Sequence, residues 1–386
     1  MTSKPQFVGE RVRLTSFVSA AGKRNKGAKC TDVYSVTNSH GFVPSTEYFS
    51  KEVFSKELEA YRLVERGMLA YNPSRINVGS IALQESADRV VVSPLYVVFS
   101  VDTRHLAPGY LLRFLKSKPG LNQIAFRSSG TVRSNLKFDA LSLLEMPLPS
   151  IDVQEKRLVV LSRLEKQIEA RGEFIASLDT LVKSRFIEMF GDPIALNSNK
   201  KSRLDSFAKI ITGNTPSRKK PEYYGDYIEW IKTDNITSTP VLTKAAESLS
   251  EDGASAGRIA PSGSVLMSCI AGSVKSIGKV AIADRPVAFN QQINAIIPAD
   301  GILTEYLYWM LSLSKDYLCS DINMQLKGIL NKTALSRKMF CVPPPSLQQE
   351  FATFVRQVDK LRVVAEEQKK KLQTLYDSLA QEYFAI

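Results

Sequence analysis

The stretch Leu161-Ser-Arg-Leu164-Glu-Lys-Gln-Ile168-Glu-Ala-Arg171-Gly-Glu-Phe-Ile175-Ala-Ser-Leu178-Asp-Thr-Leu-Val182 places an apolar residue at every seventh position, with Leu164 and Leu178 three residues after two of them. Seven-residue spacing keeps one apolar stripe turned toward a partner helix. It predicts a long helix over Asp152–Phe190 with a seam through Leu161, Ile168, Ile175, Val182 and Met189. The spacing returns at the C-terminus through Phe351, Val358, Ala365, Leu372, Leu379 and Ile386, with Phe354, Leu361 and Leu375 as the expected second row. Identities recur as well. Leu178-Asp-Thr180-Leu181-Val-Lys-Ser184 reads again as Leu372-Gln-Thr374-Leu375-Tyr-Asp-Ser378, and Glu188 and Phe190 match Glu382 and Phe384. Both helices also start alike, Pro149-Ser150 then Gln154-Glu155, and Pro345-Ser346 then Gln349-Glu350.

The segments outside the helices repeat too. Arg13-Leu14-Thr-Ser16-Phe17 returns as Arg203-Leu204-Asp-Ser206-Phe207, Val78-Gly79-Ser-Ile81-Ala82 as Ile277-Gly278-Lys-Val280-Ala281, and Tyr110-Leu111 as Tyr306-Leu307. Islands kept in one order mark a duplicated unit, a globule plus a helix, of roughly 190 residues. Each helix is about 37 residues, on the order of 55 Å. Exposing its seam would forfeit about 1.5–3 kcal/mol per large apolar side chain, so the two seams are expected to cover each other. The expected fold is α/β (α+β): two similar globules joined by two long antiparallel helices in a coiled coil, with an internal pseudo-twofold. Arg171 and Gln368 are expected at mid-seam, where polar residues fix register. The boundaries follow as 1–149 for the first globule, 150–192 for the central helix, 193–344 for the second globule and 345–386 for the C-terminal helix. Gly191-Asp192-Pro193 closes the central helix with a C-cap glycine and a proline that cannot continue it.

Bulk properties fit a globular protein with a polyanionic partner. The 386 residues are 44% apolar and 23% charged, with a net charge of +12. Cys30, Cys269, Cys319 and Cys341 are scattered without a CxxC pair, so no zinc site or disulfide framework is indicated. Free thiols and the lack of a signal peptide lead us to expect a cytoplasmic protein.

Strings that approach catalytic motifs fall short of them. Gly272-Ser-Val-Lys-Ser-Ile-Gly278-Lys279-Val280 has five residues between its glycines where a P-loop has four, and a valine where a hydroxyl must reach magnesium. Asn72-Pro73-Ser74-Arg75 lacks the second proline and the aromatic of an amino-methyltransferase motif. Glu367-Gln-Lys369 lies on the heptad helix, where charged flanks are routine. His40 and His105 are the only histidines, too few for a triad or a metal cage. No catalytic or metal constellation is expected. The positive signal is basic and polar loops. In the second copy these offer Thr215, Ser217, Arg218, Lys219, Lys220, Lys232, Asn235, Gln291, Gln292 and Asn294. In the first, a flexible basic stretch supplies Lys23, Arg24, Lys26 and Lys29, with Arg75, Arg127 and Arg133 from other loops. Hydroxyls, backbone amides and Lys/Arg suit phosphates, while Asn, Gln and Arg can read base edges in the major groove.

The chain resembles the specificity subunit of a type I restriction–modification system. The resemblance is carried by Thr212-Gly-Asn-Thr215-Pro216-Ser217, Tyr223-Tyr224-Gly225, Trp230-Ile-Lys232-Thr233, Pro343-Pro344-Pro345 with Gln349-Glu350, and the duplicated order of globule and helix. It covers essentially the whole chain and is closer in the second half, since Lys23–Lys29 stand where the first copy lacks a Thr-Pro-Ser loop. It implies that each globule is a target recognition domain reading one half of an asymmetric, bipartite double-stranded DNA site. The helices would set the spacer and dock two modification subunits. Those subunits would bind S-adenosylmethionine and methylate adenine, and restriction subunits would add ATP- and magnesium-dependent cleavage; this chain would bind no cofactor. Three alternatives remain open: a coiled-coil adaptor between proteins, a nuclease or methyltransferase acting alone, and the specificity subunit of a system cutting on both sides of its site.

Overall fold

The computed structural model describes residues 10–38, 40–48, 57–128, 135–194, 201–237, 239–271, 276–320 and 328–385. The chain divides into two compact units, Met1–Gly172 with Glu366–Ile386, and Glu173–Ala365.

In the first unit β1 (Glu10–Arg13) is followed by β2 (Val18–Ala21), β3 (Leu69–Tyr71), β4 (Ile81–Leu83) and β5 (Val97–Val101). After them come α1 (Pro108–Lys116), β6 (Glu145–Leu148) and the 40-residue helix α2 (Ile151–Phe190). Strands β2, β5, β3 and β4 form a four-stranded antiparallel sheet in that order, and β1 pairs with β6. The second unit repeats the plan with β7 (Lys201–Arg203), β8 (Ala208–Thr212), β9 (Ile228–Ile231), β10 (Val265–Ser268), β11 (Val280–Ile282), β12 (Val287–Phe289) and β13 (Ile293–Pro298). It continues through α3 (Thr304–Leu313) and β14 (Met339–Cys341) to α4 (Pro345–Phe384), also 40 residues. Its sheet runs β8, β13, β10, β11, all antiparallel, and β7 pairs with β14. Strand for strand, the two sheets have the same order and sense. The matched islands sit at matched places. Leu14 and Leu204 are fully buried, and Gly79 and Gly278 both adopt positive φ (85° and 74°) just before β4 and β11. Only glycine takes that turn without strain.

Helix α2 ends as its sequence dictates. Gly191 sits at φ +71°, donates its N–H to the Ile187 carbonyl, and is followed within two residues by Pro193. Each unit contains half of each long helix, the beginning of one beside the end of the other. In the first unit Arg157 donates to the Tyr383 carbonyl, and Leu161, Ala380 and Phe384 enter the globule's core, Phe384 stacking near Tyr110 at 4.9 Å. In the second, Leu178, Val182 and Phe186 join Phe351, Val355 and Val358 in the core, and Phe190 packs on Tyr306 at 5.1 Å. Phe384 and Phe190 do the same work in their two copies.

The structure corrects the alignment of the copies at the helix start. The buried amide of Gln154 accepts from Ala107 N–H and donates to the His105 and Pro149 carbonyls. The residue making the same three bonds in the second unit is Gln348, with Leu303 N–H and the Gly301 and Pro343 carbonyls. Gln349 is exposed. The offset is therefore 348 − 154 = 194, as it is for Leu178 and Leu372 or Phe190 and Phe384. Three consecutive prolines offered two ways to align the start, and the buried glutamine selects one.

That offset moves the second seam row. Leu161, Ile168, Ile175, Val182 and Met189 correspond to Val355, Arg362, Lys369, Tyr376 and Tyr383. Leu361 and Leu375, expected in the seam, are 53% and 48% exposed. Of the other expected seam positions, Leu161, Val182 and Val358 are buried, and Ile168, Ile175, Leu372 and Leu379 are half-buried. The polar members of the row are held by the opposite helix. Arg362 donates to Asp179 at 2.6 Å, and Tyr376 donates to Glu165 at 2.9 Å, a carboxylate that also takes Arg113. A side chain at Gly172 would meet the Lys369 amino group at 3.3 Å. Arg171 is half-buried, and Gln368 is exposed instead of lying at mid-seam, because it corresponds to the exposed Phe174. Among the described residues no helix is long and apolar enough to cross a membrane.

Candidate nucleic-acid interface

In the second unit β9 and β12 run parallel, pairing Trp230 with Ala288 and Ile231 with Phe289, so the loops leaving their C-terminal ends emerge side by side. The loop after β8 joins them. Gly213 N–H reaches the Ile293 carbonyl and Asn214 N–H the Phe289 carbonyl, at 3.1 Å each. Gly213 is obligatory there, since a Cβ would stand 2.2 Å from the Asn290 carbonyl oxygen. Residues 213–220, 232–235 and 290–292 thereby converge on one face.

Thr215 donates its hydroxyl to the Gln291 side chain, and Thr215, Ser217, Lys219 and Gln291 are all exposed. Lys220 lies over the Tyr223 ring at 5.0 Å and donates to its hydroxyl, which raises the lysine pKa above its ordinary value. Arg218 lies over Tyr224 at 4.3 Å and Trp230 at 5.2 Å, and pairs with Glu247 at 2.5 Å. Lys232 stands 4.9 Å from the Trp230 ring and bonds the other oxygen of Glu247. Hydrogen bonds from Lys232 and then Arg218 hold the Glu247 carboxyl below the usual carboxylate range. The Tyr224 hydroxyl donates to the Pro216 carbonyl, pinning the loop from the other side.

Three expected contacts take other roles. Asn235 is buried, accepts from Lys232 N–H and donates to the Lys244 carbonyl, closing the turn after β9. Asn294, 2% exposed, takes the Thr212 hydroxyl and donates to the Cys269 sulfur inside the β8–β13–β10 sheet. Neither amide is free to read a base. Gln292 is half-buried and accepts from Asn290. Glu247 was not a sequence candidate, and its partner Arg218 lies 29 residues away in the chain.

In the first unit Lys23, Arg24, Lys26 and Lys29 line one recess with Arg89 and Asp32, in the loop after β2 that corresponds to the 213–220 loop after β8. Hydrogen bonds tie the stretch to its neighbours. Asn25, 1% exposed, donates its amide to the Cys30 and Leu58 carbonyls and accepts from Cys30 N–H, and the turn passes through Gly27 at φ +70°. Arg75, in the β3–β4 connection, and Arg127, at the end of the helix Lys118–Ser128, are exposed and lie outside that recess. Arg133 lies outside the described residues. Among the described residues no group of three His, Cys, Asp or Glu is placed to hold a metal ion.

Residues 197–374 match the family described as the type I restriction modification DNA specificity domain. That match covers the second globule and most of α4. The chain is similar to the specificity subunit of the type I restriction enzyme HindI of Haemophilus influenzae, 23% identical over an alignment of 330 positions that covers 66% of this chain and 71% of that one. It is 30% identical over 192 residues to the MjaIX specificity subunit of Methanocaldococcus jannaschii, covering 47% of this chain and 42% of the relative. In fold it resembles a chain from a structure of type I R-M complex assembly and conformational transition, with TM-score 0.58, 17% identity and full coverage of both chains. It also resembles the S subunit of M. genitalium, with TM-score 0.57, 13% identity, and 100% and 98% coverage. The duplicated sheets and long helices described above are the fold that these likenesses share with the specificity subunits.

Proposed function

We propose that this chain is a type I specificity subunit, that it reads an asymmetric, bipartite DNA site, one half with each globule, and that its long helices set the gap and dock two modification subunits. The observation that carries the reading is the placement of an exposed polar loop after the same strand of the same sheet in both copies: Lys23–Lys29 after β2, and 213–220 after β8. Unlike loop sequences on like scaffolds suit unlike half-sites. Lys219, Lys220 and the first-unit recess supply donors for phosphates, and the net charge of +12 favours association with a polyanion. Docking is supported by large apolar side chains left exposed on both helices, among them Val159, Leu181, Ile187, Val363 and Leu375 at 46–62%. On this reading the chain is not itself an enzyme. S-adenosylmethionine and adenine methylation belong to the modification subunits, and ATP, magnesium and cleavage to the restriction subunits. The test is methylome sequencing of cells expressing the modification subunit with and without this chain. A bipartite motif with methyladenine in both halves, present only with the chain, is expected. Its absence from an assembled complex would refute the reading.

A further inference from the structure

We propose that Arg218 reads a guanine in the half-site of the second globule, and that Glu247 with the Tyr224 and Trp230 rings is the positioning device that makes it selective. This rests on the reading of the chain as a DNA-specificity subunit. The Arg218 side chain is 56% exposed, yet it is fixed from three sides: two aromatic faces and the Glu247 carboxylate at 2.5 Å. An exposed arginine ordinarily loses rotamer entropy on binding, whereas here that ordering has already taken place. The two rings are themselves fixed, edge to face at 6.0 Å, with the Tyr224 hydroxyl on the Pro216 carbonyl. Glu247 takes one N–H of Nη2, and the rest of the guanidinium fork carries donors and no acceptor. Guanine O6 and N7 are the acceptor pair in the major groove that fits such a fork. The carboxylate also argues against a phosphate at this place, because an anion would meet Glu247 as well as Arg218, while a neutral base edge would not. Lys219, exposed and adjacent, is the better phosphate ligand.

The experiment uses the complex of this chain with its modification subunits, comparing wild type, Arg218→Lys and Glu247→Gln by methylome and by binding to oligonucleotides varied at each position of the recognised site. Wild type is expected to require G at one position of the second half-site, with other bases weakening binding about 10- to 100-fold. Arg218→Lys keeps the charge and loses the fork, so discrimination there should fall to within about threefold while the first half-site is unchanged; Glu247→Gln should relax the same position. A motif that survives Arg218→Lys at every position, or binding that weakens equally for all bases, overturns the proposal. A wild-type complex that yields no motif overturns instead the reading on which it rests.

Discussion

Replacing Gln348 by alanine removes the one side chain that ties the start of α4 to the loop before α3. Its amide is completely buried, accepts from Leu303 N–H at 2.9 Å, and donates to the Pro343 and Gly301 carbonyls at 2.9 and 3.2 Å. Truncation leaves one donor and two acceptors inside the protein. An unsatisfied buried group costs about 1–3 kcal/mol, and because water can enter part of the vacated volume, a total loss of about 2–5 kcal/mol is expected. Trp230 and Trp309 are the only tryptophans and both are buried in the second unit, so selectively excited tryptophan fluorescence during urea unfolding follows that unit alone. With a urea dependence of about 2–3 kcal/mol/M, the midpoint should fall by about 1–2 M. Gln349→Ala, on the exposed neighbour, is the control and should stay within about 0.5 kcal/mol. Equal effects from the two variants would refute the 194-residue equivalence and the seam register built on it.

The same register predicts that Leu361→Ala leaves urea unfolding within about 0.5 kcal/mol of wild type, while Val358→Ala, at a 3% exposed seam position, costs about 1–2.5 kcal/mol. In the native chain Cys269, buried with its thiol pushed up to about 12 by desolvation, should resist a thiol reagent at pH 8 and react once urea unfolds the unit, as read by mass spectrometry of the labelled peptide. Acid should weaken the second unit. Arg285 lowers the Glu229 pKa, and Lys232 and Arg218 lower that of Glu247, so these pairs contribute stability above the ordinary carboxylate range and lose it as pH falls through the folded values. Glu247→Gln should flatten that acid limb in a fluorescence titration. In the assembled complex, Lys219→Ala should weaken binding evenly across DNA sequences and reduce the slope of log K against log salt by about 0.9, the effect of one phosphate contact.

The large features were written in local pattern. Seven-residue spacing located both helices, and repeated short strings located the duplication, because a helix seam and a strand-turn junction each need particular residue types at fixed separations. The details that failed were those in which one residue type serves two environments. An amide suits a base edge and a buried backbone group equally well, so Asn235 and Asn294 read as base contacts until their partners in the turn and the sheet were seen. Leu361 fits a heptad counted from Phe351, but a three-residue step and a four-residue step turn to opposite flanks of the stripe, and only the partner helix decides between them. Glu247 gave no signal because its meaning comes from Arg218 and Lys232, brought to it by the sheet. In the lysine-rich stretch at 23–29 the hydrogen bonds of Asn25 gave no signal, because it is one polar letter among many.

The corrected register also explains why two helices of common origin are not interchangeable. At two successive seam positions α2 carries Ile168 and Ile175 where α4 carries Arg362 and Lys369. Arg362 is 11% exposed at its side chain and pairs with Asp179 of α2 at 2.6 Å and with Asp359 of its own helix at 3.6 Å. Pairing α4 with a second α4 in the same antiparallel register would put Gln373, the equivalent of Asp179, opposite Arg362, and leave the guanidinium only Asp359 of its own helix, at 3.6 Å. Pairing α2 with a second α2 would set Asp179 against Ile168, a carboxylate facing hydrocarbon. The Asp179 side chain is 48% exposed, so water screens the pair and its loss costs on the order of 1 kcal/mol. Only α2 with α4 gives Arg362 an anion across the seam, so divergence of the two copies at this one layer favours the unlike pair of helices over either like pair.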